Sequence, residues 1–294
     1  MKTKKKSLIE TAQPTETIKQ ALAEAKNLLS VVTDCPLLEA EILLAHVLNT
    51  SRNYLHTWND ARLNEEQIRE YANCLSRRRH HEPIAYITET KEFYSLQLQV
   101  TPDTLIPRPE TELLVDSILS DHPRETLLKV ADLGTGSGAI ALALAHERPN
   151  WEIHATDDSE CALKVAQMNA RRLSINNVSF HQGNWCAALP SDGFDIIVSN
   201  PPYIGEMEWD IYAENLAFEP RSALVSGLDG LDSIHTIIHS AKQYLKSGGQ
   251  LLIEHGFLQG SAVRKIFAAC AYSQIHSVRD LSGQERATIA RYFP

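Results

Sequence analysis

The sequence lacks a long hydrophobic run and an export signal. Its longest uninterrupted apolar stretch, Ala139–Ala145, has seven residues, whereas a membrane-spanning helix needs about 20. The lysines at positions 2, 4, 5 and 6 are followed by only Leu8 and Ile9 before Glu10 interrupts the apolar stretch, so we expect no signal peptide. These absences favour a cytoplasmic protein without a membrane segment.

Cysteine is scarce, and it lacks the spacing of a disulfide framework or a zinc site. The five cysteines are odd in number and widely scattered, at Cys35, Cys74, Cys161, Cys186 and Cys270. This pattern is typical of reduced thiols in a cytosolic protein. His235 and His239 are one helical turn apart but lack the glutamate of a zinc-protease motif. We therefore expect no metal site.

The sequence has fewer basic residues than acidic ones, with 28 Lys/Arg and 37 Asp/Glu. Residues 1–90 contain 12 Lys/Arg and 12 Asp/Glu, whereas residues 91–294 contain 16 and 25, so the whole net charge of −9 lies in the C-terminal part. Proteins that grip duplex nucleic acid through its phosphates need the opposite balance. The basic run 77–81 is the main exception, and it is typical of a helix end, where the dipole favours cations. We expect no direct binding to duplex nucleic acid.

The length of 294 residues is typical of one large domain or of two, and the pattern along the chain favours two. Residues 1–14 are polar and lysine-rich, and we interpret them as a disordered lead. Residues 15–81 show apolar positions at three- and four-residue spacing, which predicts a small bundle of helices, with Ser51 and Asn64 as N-caps. Residues 82–105 are expected to form a linker with a β-hairpin, built from extended segments at 84–88 and 93–100.

Residues 106–294 alternate between strand and helix patterns, which predicts an α/β domain with a doubly wound, mostly parallel sheet. The expected helices are 111–119, 139–147, 160–173 and 233–244, and the expected strands are 127–133, 152–156, 178–181, 195–199 and 250–254.

A glycine-rich loop, Gly134–Gly138, joins a predicted strand to a predicted helix. Glycine lets the backbone adopt positive φ and approach a ligand closely, and the helix N-terminus offers free N–H groups. Gly134, Gly136 and Ala139 also satisfy the dinucleotide spacing G-x-G-x-x-G/A. The loop predicts a nucleotide cofactor but does not say which one.

A carboxylate, Asp157, ends the next predicted strand about 20 residues further on, where it can accept hydrogen bonds from ribose hydroxyls. Both dehydrogenases and methyltransferases bind an adenosine ribose. Asp157 therefore leaves both classes open.

The segment Asn200–Tyr203 (Asn-Pro-Pro-Tyr) directly follows a predicted strand, at the edge where open α/β sheets bind ligands. Pro201 has no N–H, so main-chain carbonyls there are left to accept, and the Asn200 side chain adds an amide oxygen. Together these acceptors suit the NH₂ of a planar amide or amino group, and Tyr203 offers an aromatic wall.

The combination of Asp132–Gly138 with Asn200–Tyr203 resembles S-adenosylmethionine-dependent methyltransferases that act on amino nitrogens. Further stretches resemble the release-factor glutamine methyltransferase family, and the resemblance covers nearly the whole chain after the lysine-rich lead. These stretches are Arg77–Arg79, Glu82–Ala85, Glu92–Phe93, Leu105–Glu112, Phe218–Pro220, Ala223–Leu224, Glu254–Gly256 and Glu285–Arg286.

The resemblance implies methylation of the glutamine amide nitrogen in the Gly-Gly-Gln motif of bacterial peptide chain release factors, with S-adenosylhomocysteine as the product. It implies that Asp157 takes the ribose hydroxyls and that Trp185 packs on the adenine. The implied cofactor residues are Gly134, Thr135, Gly136, Ser137, Gly138, Asp157, Asn184, Trp185 and Asn200. The implied substrate residues are Asn200, Pro201, Pro202 and Tyr203, with Asn200, Pro201 and Tyr203 as the catalytic group.

Three positions depart from the family pattern. Asn184 stands where an acid often accepts from the adenine amino group, and His81 and Glu89 stand where glycines are common. The last two put the local turn geometry in doubt. We also expect a monomer whose helical domain docks the protein substrate.

Three alternative functions would use some of the same residues. An adenine-amino DNA or RNA methyltransferase would use the same clamp on a flipped base, but the chain lacks a basic recognition domain. An NAD-dependent dehydrogenase would leave Asn200–Tyr203 unexplained, and a non-catalytic binding module would leave the intact glycine loop without a role. The segment Glu254–Gly256 is open to either a substrate contact or a core role.

Overall fold

The computed structural model describes residues 16–190 and 193–294. The chain divides into two compact units, with the division between Thr88 and Glu89. The predicted lead at residues 1–14 lies outside the described residues.

The first unit is helical, as its periodicity predicts. Thr17 and Asn64 each form a reciprocal capping box with the residue three positions on, and the Ser51 hydroxyl accepts from the N–H of Tyr54. The apolar faces pack into one core. Its helices are α1 (Ile18–Leu29), α2 (Pro36–Val47), α3 (Arg52–Thr57), α4 (Glu65–Arg79) and α5 (Ile84–Ile87).

The extended conformation predicted for residues 84–88 is wrong, because Ile84–Ile87 forms the single helical turn α5. The N–H of Thr88 donates to the Ile84 carbonyl, which closes the turn. Ile87 is buried in the core of the first unit. Burial of an apolar side chain outweighs the weak β-propensity of this short segment.

The basic run at the end of α4 is largely paired within this unit. Arg77 forms an ion pair with Glu82, and Arg78 forms one with Glu39 at 2.7 Å between Nε and Oε2. Two of its three arginines therefore hold the bundle together.

The second unit begins with a tight hairpin of strands β1 (Thr90–Phe93) and β2 (Leu96–Gln99). Tyr94 and Ser95 form the turn with φ of 49° and 61°, as a two-residue turn that matches the strand twist requires. The predicted alternation along β2 is confirmed, since Leu96 and Leu98 are buried and Gln97 is exposed. The hairpin starts after α5. The single extended segment predicted for residues 93–100 is wrong, because the turn at Tyr94 and Ser95 divides it between β1 and β2.

The rest of the second unit is a Rossmann-like layered fold, as predicted. The described residues form a seven-stranded sheet in the order β5-β4-β3-β6-β7-β9-β8, in which β3 to β7 are parallel and β9 runs antiparallel between β7 and β8. Its strands are β3 (Lys129–Leu133), β4 (Glu152–Asp157), β5 (Val178–Gln182), β6 (Phe194–Ser199), β7 (Leu245–Glu254), β8 (Tyr272–Arg279) and β9 (Glu285–Tyr292). Its helices are α6 (Glu112–Asp121), α7 (Ala139–Glu147), α8 (Glu160–Arg172), α9 (Trp209–Leu216), α10 (Asp232–Ala241) and α11 (Gly260–Ala269).

Helices α9 and α11 and strands β8 and β9 were not anticipated by the sequence pattern. Residues 287–290 of β9 are buried in succession, because this strand lies inside the sheet and is covered on both faces, so it shows no alternation. In the part of the chain that the structure describes, no helix is both long and apolar enough to cross a membrane.

Candidate active site

Four neighbouring parallel strands end at one edge of the sheet and carry the predicted site. Asp157 ends β4, the glycine loop follows β3, Asn200 follows β6 and Glu254 ends β7. Because β4, β3, β6 and β7 are adjacent in that order, these groups lie side by side. The chain winds outward in opposite directions from β3 and β6, so the glycine loop and Asn200 flank the topological switch point, where such sheets bind ligands.

The glycine loop depends on backbone conformations that other residues adopt only at a cost. Gly134, Gly136 and Gly138 have φ of 71°, 56° and 87°. The Trp185 ring packs against Gly134 so closely that a Cβ there would lie 2.9 Å from its Cζ3 atom. The structure thus brings together the glycine loop and Trp185, two parts of the predicted cofactor site.

Asp132 holds the glycine loop and the start of α7 by hydrogen bonds, a role that the sequence did not indicate. Its Oδ2 atom accepts from the Thr135 hydroxyl at 2.6 Å and from the N–H of Ala141, in the first turn of α7, at 3.1 Å. Its Oδ1 atom is buried without a hydrogen-bond partner among the described residues. Burial raises the pKa of this carboxyl to about 7, against the lowering effect of its two donors.

Asp157 is tied directly to the glycine loop. Its Oδ2 atom accepts from the N–H of Gly136 at 2.8 Å, and its Oδ1 atom accepts from the N–H of Ser159 at 3.0 Å. Burial raises its pKa, and the two N–H groups oppose that rise. Each carboxylate oxygen has two acceptor sites, so capacity remains for a further donor. Asn184 is exposed just beyond β5, next to Trp185.

Asn200 presents an unpaired acceptor at the switch point. Its Nδ2 atom donates to the Thr111 hydroxyl at 3.0 Å, while its Oδ1 atom is buried without a partner among the described residues. The preceding Ser199 hydroxyl donates to the Leu133 carbonyl at 2.7 Å, which joins β6 to β3 at this level. An unpaired buried acceptor is costly unless a ligand donates to it.

The Tyr203 side chain turns back toward the end of β7. Its hydroxyl donates to Oε1 of Glu254 at 3.4 Å, and burial raises the pKa of the phenol. Glu254 is buried, its Oε2 atom has no partner among the described residues, and its pKa is raised to about 7 mainly by burial. The neighbouring His255 belongs to the core, where its Nε2 atom lies 2.9 Å from the Thr288 hydroxyl. Glu254–Gly256 thus combines a carboxylate beside the site with a core histidine.

The segment leading to Thr111 is anchored by a buried carboxylate. Glu219 accepts from the N–H of Ile106 at 3.0 Å and forms an ion pair with Arg108. Its side chain is 2% exposed. The sequence carried a signal here, since both Leu105–Glu112 and Phe218–Pro220 match the family pattern, but their pairing depends on the tertiary fold.

Two family models match the chain. The PrmC N-terminal domain matches residues 20–88, and a methyltransferase domain matches residues 125–291. The release factor glutamine methyltransferase of Coxiella burnetii is 48% identical over 93% of this chain and 98% of its own length. The enzymes of the same name from Salmonella typhimurium and Escherichia coli are 46% and 44% identical, each over 89% of this chain and 94% of their own lengths. The chain belongs to the release factor glutamine methyltransferase family.

Solved structures share the fold of this family member at low sequence identity. A methyltransferase from Pyrococcus furiosus has a TM-score of 0.52 at 18% identity and covers 76% of this chain and 100% of its own. The Thermus thermophilus 16S rRNA N2 G1207 methyltransferase, solved with AdoMet and guanosine, has a TM-score of 0.51 at 16% identity and covers 69% of this chain and 49% of its own. Both likenesses concern the fold alone.

The two histidines considered as a metal pair lie on the solvent face of α10 in this member of the family. Both His235 and His239 are exposed. Within residues 16–190 and 193–294, no group of three or more His, Cys, Asp and Glu side chains is arranged to hold a metal ion. All five cysteines are free thiols.

Proposed function

We propose that this protein transfers a methyl group from S-adenosylmethionine to the side-chain amide nitrogen of the glutamine in the Gly-Gly-Gln motif of bacterial release factors. The curated relatives are named release factor glutamine methyltransferase and match along nearly their full length. The observation on this chain that carries the proposal is the buried, unpaired Oδ1 atom of Asn200 at the switch point of the sheet.

The residues at this edge fit the cofactor. Gly134–Gly138 would hold its methionine and ribose side, Asp157 would accept from the ribose hydroxyls, and Trp185 would pack on the adenine. The open space beside Gly136, where an added Cβ would meet nothing within 4 Å, is consistent with a ligand against this loop. When bound, S-adenosylmethionine supplies a methyl group on a positively charged sulfur, which is an electrophile. Asn184 would offer an uncharged acceptor to the adenine amino group.

The acceptors around Asn200 address the chemical difficulty of the reaction. An amide nitrogen shares its lone pair with the carbonyl and is a poor nucleophile. Asn200 Oδ1 and the Pro201 carbonyl would each accept one N–H bond of the substrate amide, which fixes its plane and favours pyramidal nitrogen. Pro202 and Tyr203 would complete the pocket wall.

Orientation and electrostatics then supply most of the rate enhancement. Held by the glycine loop, Asp157 and Trp185, S-adenosylmethionine would supply the electrophilic methyl group, and the surplus proton of the substrate nitrogen would leave to water. We assign no general base.

The helical unit would dock the protein substrate. It has balanced charge and a paired basic run, so its role would be protein recognition rather than phosphate binding. Removing residues 1–88 is then expected to raise the KM for release factor while leaving the Kd for S-adenosylmethionine nearly unchanged.

The direct test is to incubate the protein with S-adenosylmethionine and a release factor and to locate the added methyl group by peptide mass spectrometry. The proposal expects one methyl group on the glutamine of the Gly-Gly-Gln loop. Methylation at another residue, or none, would reject it.

A further inference from the structure

Thr111 lies between the amide of Asn200 and the carboxylate of Glu254. It is 4% exposed, at the end of a short 3₁₀ turn before α6. Its hydroxyl oxygen receives a hydrogen bond from Asn200 Nδ2 at 3.0 Å. Burial raises the pKa of Glu254, and hydrogen bonding from Thr111 and Tyr203 opposes that rise. The three side chains come from different parts of the chain and meet at one sheet edge.

The chemistry of these groups gives the chain of bonds a direction. An ionised carboxylate only accepts, and a threonine hydroxyl has a single proton to donate. With that proton on Glu254, the Thr111 oxygen can only accept from Asn200. Asn200 must therefore turn its NH₂ group toward Thr111, which leaves its Oδ1 atom free and buried.

The direction matters because a substrate amide brings donors. If the Asn200 side chain were turned over, its NH₂ group would face the substrate NH₂ group, and neither could accept. We propose that Thr111 and Glu254 are positioning residues, which hold the Asn200 amide with its oxygen toward the amide nitrogen of the substrate. This inference rests on the proposed function and adds two residues to it.

The charge on Glu254 should then control the orientation of Asn200. Burial is the largest influence on the pKa of this carboxyl, and the groups that act on it are Thr111, Tyr203, Arg286 and Glu110. When Glu254 is protonated it can donate to Thr111, whose hydroxyl can then donate to an overturned Asn200 amide. Because its pKa is raised to about 7, kcat should fall as the pH drops below neutrality.

Replacing Thr111 tests the inference. Thr111→Val keeps the shape but removes the hydroxyl, so kcat for release factor should fall about 10- to 100-fold, the loss expected for one hydrogen bond next to a charge. The Kd for S-adenosylmethionine should stay within about twofold. Thr111→Ser restores the hydroxyl and should recover most of kcat. Thr236→Val, at an exposed threonine on α10, is the matched control and should match the wild type.

Replacing Glu254 provides a second readout that does not depend on how well Thr111→Val folds. Glu254→Gln removes the ionisation, so the decline of kcat below neutral pH should disappear. A Thr111→Val enzyme with wild-type kcat, equal losses in Thr111→Val and Thr111→Ser, or an unchanged pH profile in Glu254→Gln would each overturn the inference. Absence of methyl transfer by the wild-type enzyme would instead reject the proposed function.

Discussion

Asn200 donates from Nδ2 to the hydroxyl of Thr111 at 3.0 Å, across 89 positions of the chain. This bond connects the segment after β6 to the turn before α6 and leaves the Asn200 oxygen buried and unpaired. Buried acceptors are normally hydrogen-bonded, so an unpaired one is typical of a site where a ligand supplies the donor.

Removing the Asn200 side chain should abolish most turnover. In Asn200→Ala, kcat for release factor is expected to fall about 100- to 1000-fold, the usual cost of deleting one oriented polar group at a reacting centre. The Kd for S-adenosylmethionine, measured by calorimetry, should rise only modestly. Asn176→Ala, at an exposed asparagine between α8 and β5, is the control and should retain kcat. Unchanged turnover in Asn200→Ala would remove the amide clamp from the mechanism.

Two glycine substitutions separate steric from conformational effects in the loop. Both glycines have positive φ, so alanine is strained at either position. In Gly134→Ala the added Cβ also lies 2.9 Å from the Trp185 ring, whereas in Gly136→Ala it has no neighbour within 4 Å. We expect Gly134→Ala to weaken binding of S-adenosylmethionine and to lower stability more than Gly136→Ala lowers it. Titration calorimetry with S-adenosylmethionine measures the effect on binding, and thermal unfolding measures the effect on stability. Equal stability losses would show that contact with Trp185 is unimportant.

Asp132 should lower stability at high pH. Its pKa is about 7 in the folded protein and 3.8 ordinarily, so the folded state holds a proton that the unfolded state has already lost. The free energy of unfolding therefore decreases as the pH rises from about 4 to about 7. Asp132→Asn removes this effect. Its stability relative to the wild type should improve by about 2 kcal/mol between pH 5 and pH 8 in urea unfolding, and a constant difference would contradict a raised pKa.

The two positions where the resemblance led us to expect glycine have a backbone of positive φ, which glycine adopts readily. His81 has φ of 66° and Glu89 has φ of 58°, and both side chains are exposed. Since this conformation costs an ordinary residue about 1–2 kcal/mol, His81→Gly and Glu89→Gly should each stabilise the protein by about 0.5–1 kcal/mol in urea unfolding. Glu92→Gly, in the extended strand β1, should instead destabilise by a similar amount. Loss of stability in all three variants would exclude relief of strain.

Local signals in the sequence predicted much of the fold. Capping residues such as Asn64 fixed the start of α4, and α7 occupies the predicted residues 139–147. The pattern misled at residues 84–88, where β-branched residues are buried by a helical core. The pattern did not predict β9, because this strand is buried on both faces and its buried residues show no period of two.

Some residues of the candidate site could be predicted from the sequence and others could not. The glycine loop and Asn200 could be predicted because each lies at a strand end with a recognisable local pattern. Their arrangement at one edge follows from the parallel strand order. Thr111 and Glu219 could not be given roles and the role of Glu254 stayed open, because the partners of all three are distant in the sequence.

Transfer of labelled methyl groups to competing acceptors tests the proposed function most directly. The protein is incubated with labelled S-adenosylmethionine and, in parallel, with release factor, with the same factor carrying a substitution at the Gly-Gly-Gln glutamine, and with duplex DNA. We predict label on the unmodified release factor alone. Label on DNA, or equal label on the substituted factor, would contradict a glutamine-directed methyltransferase.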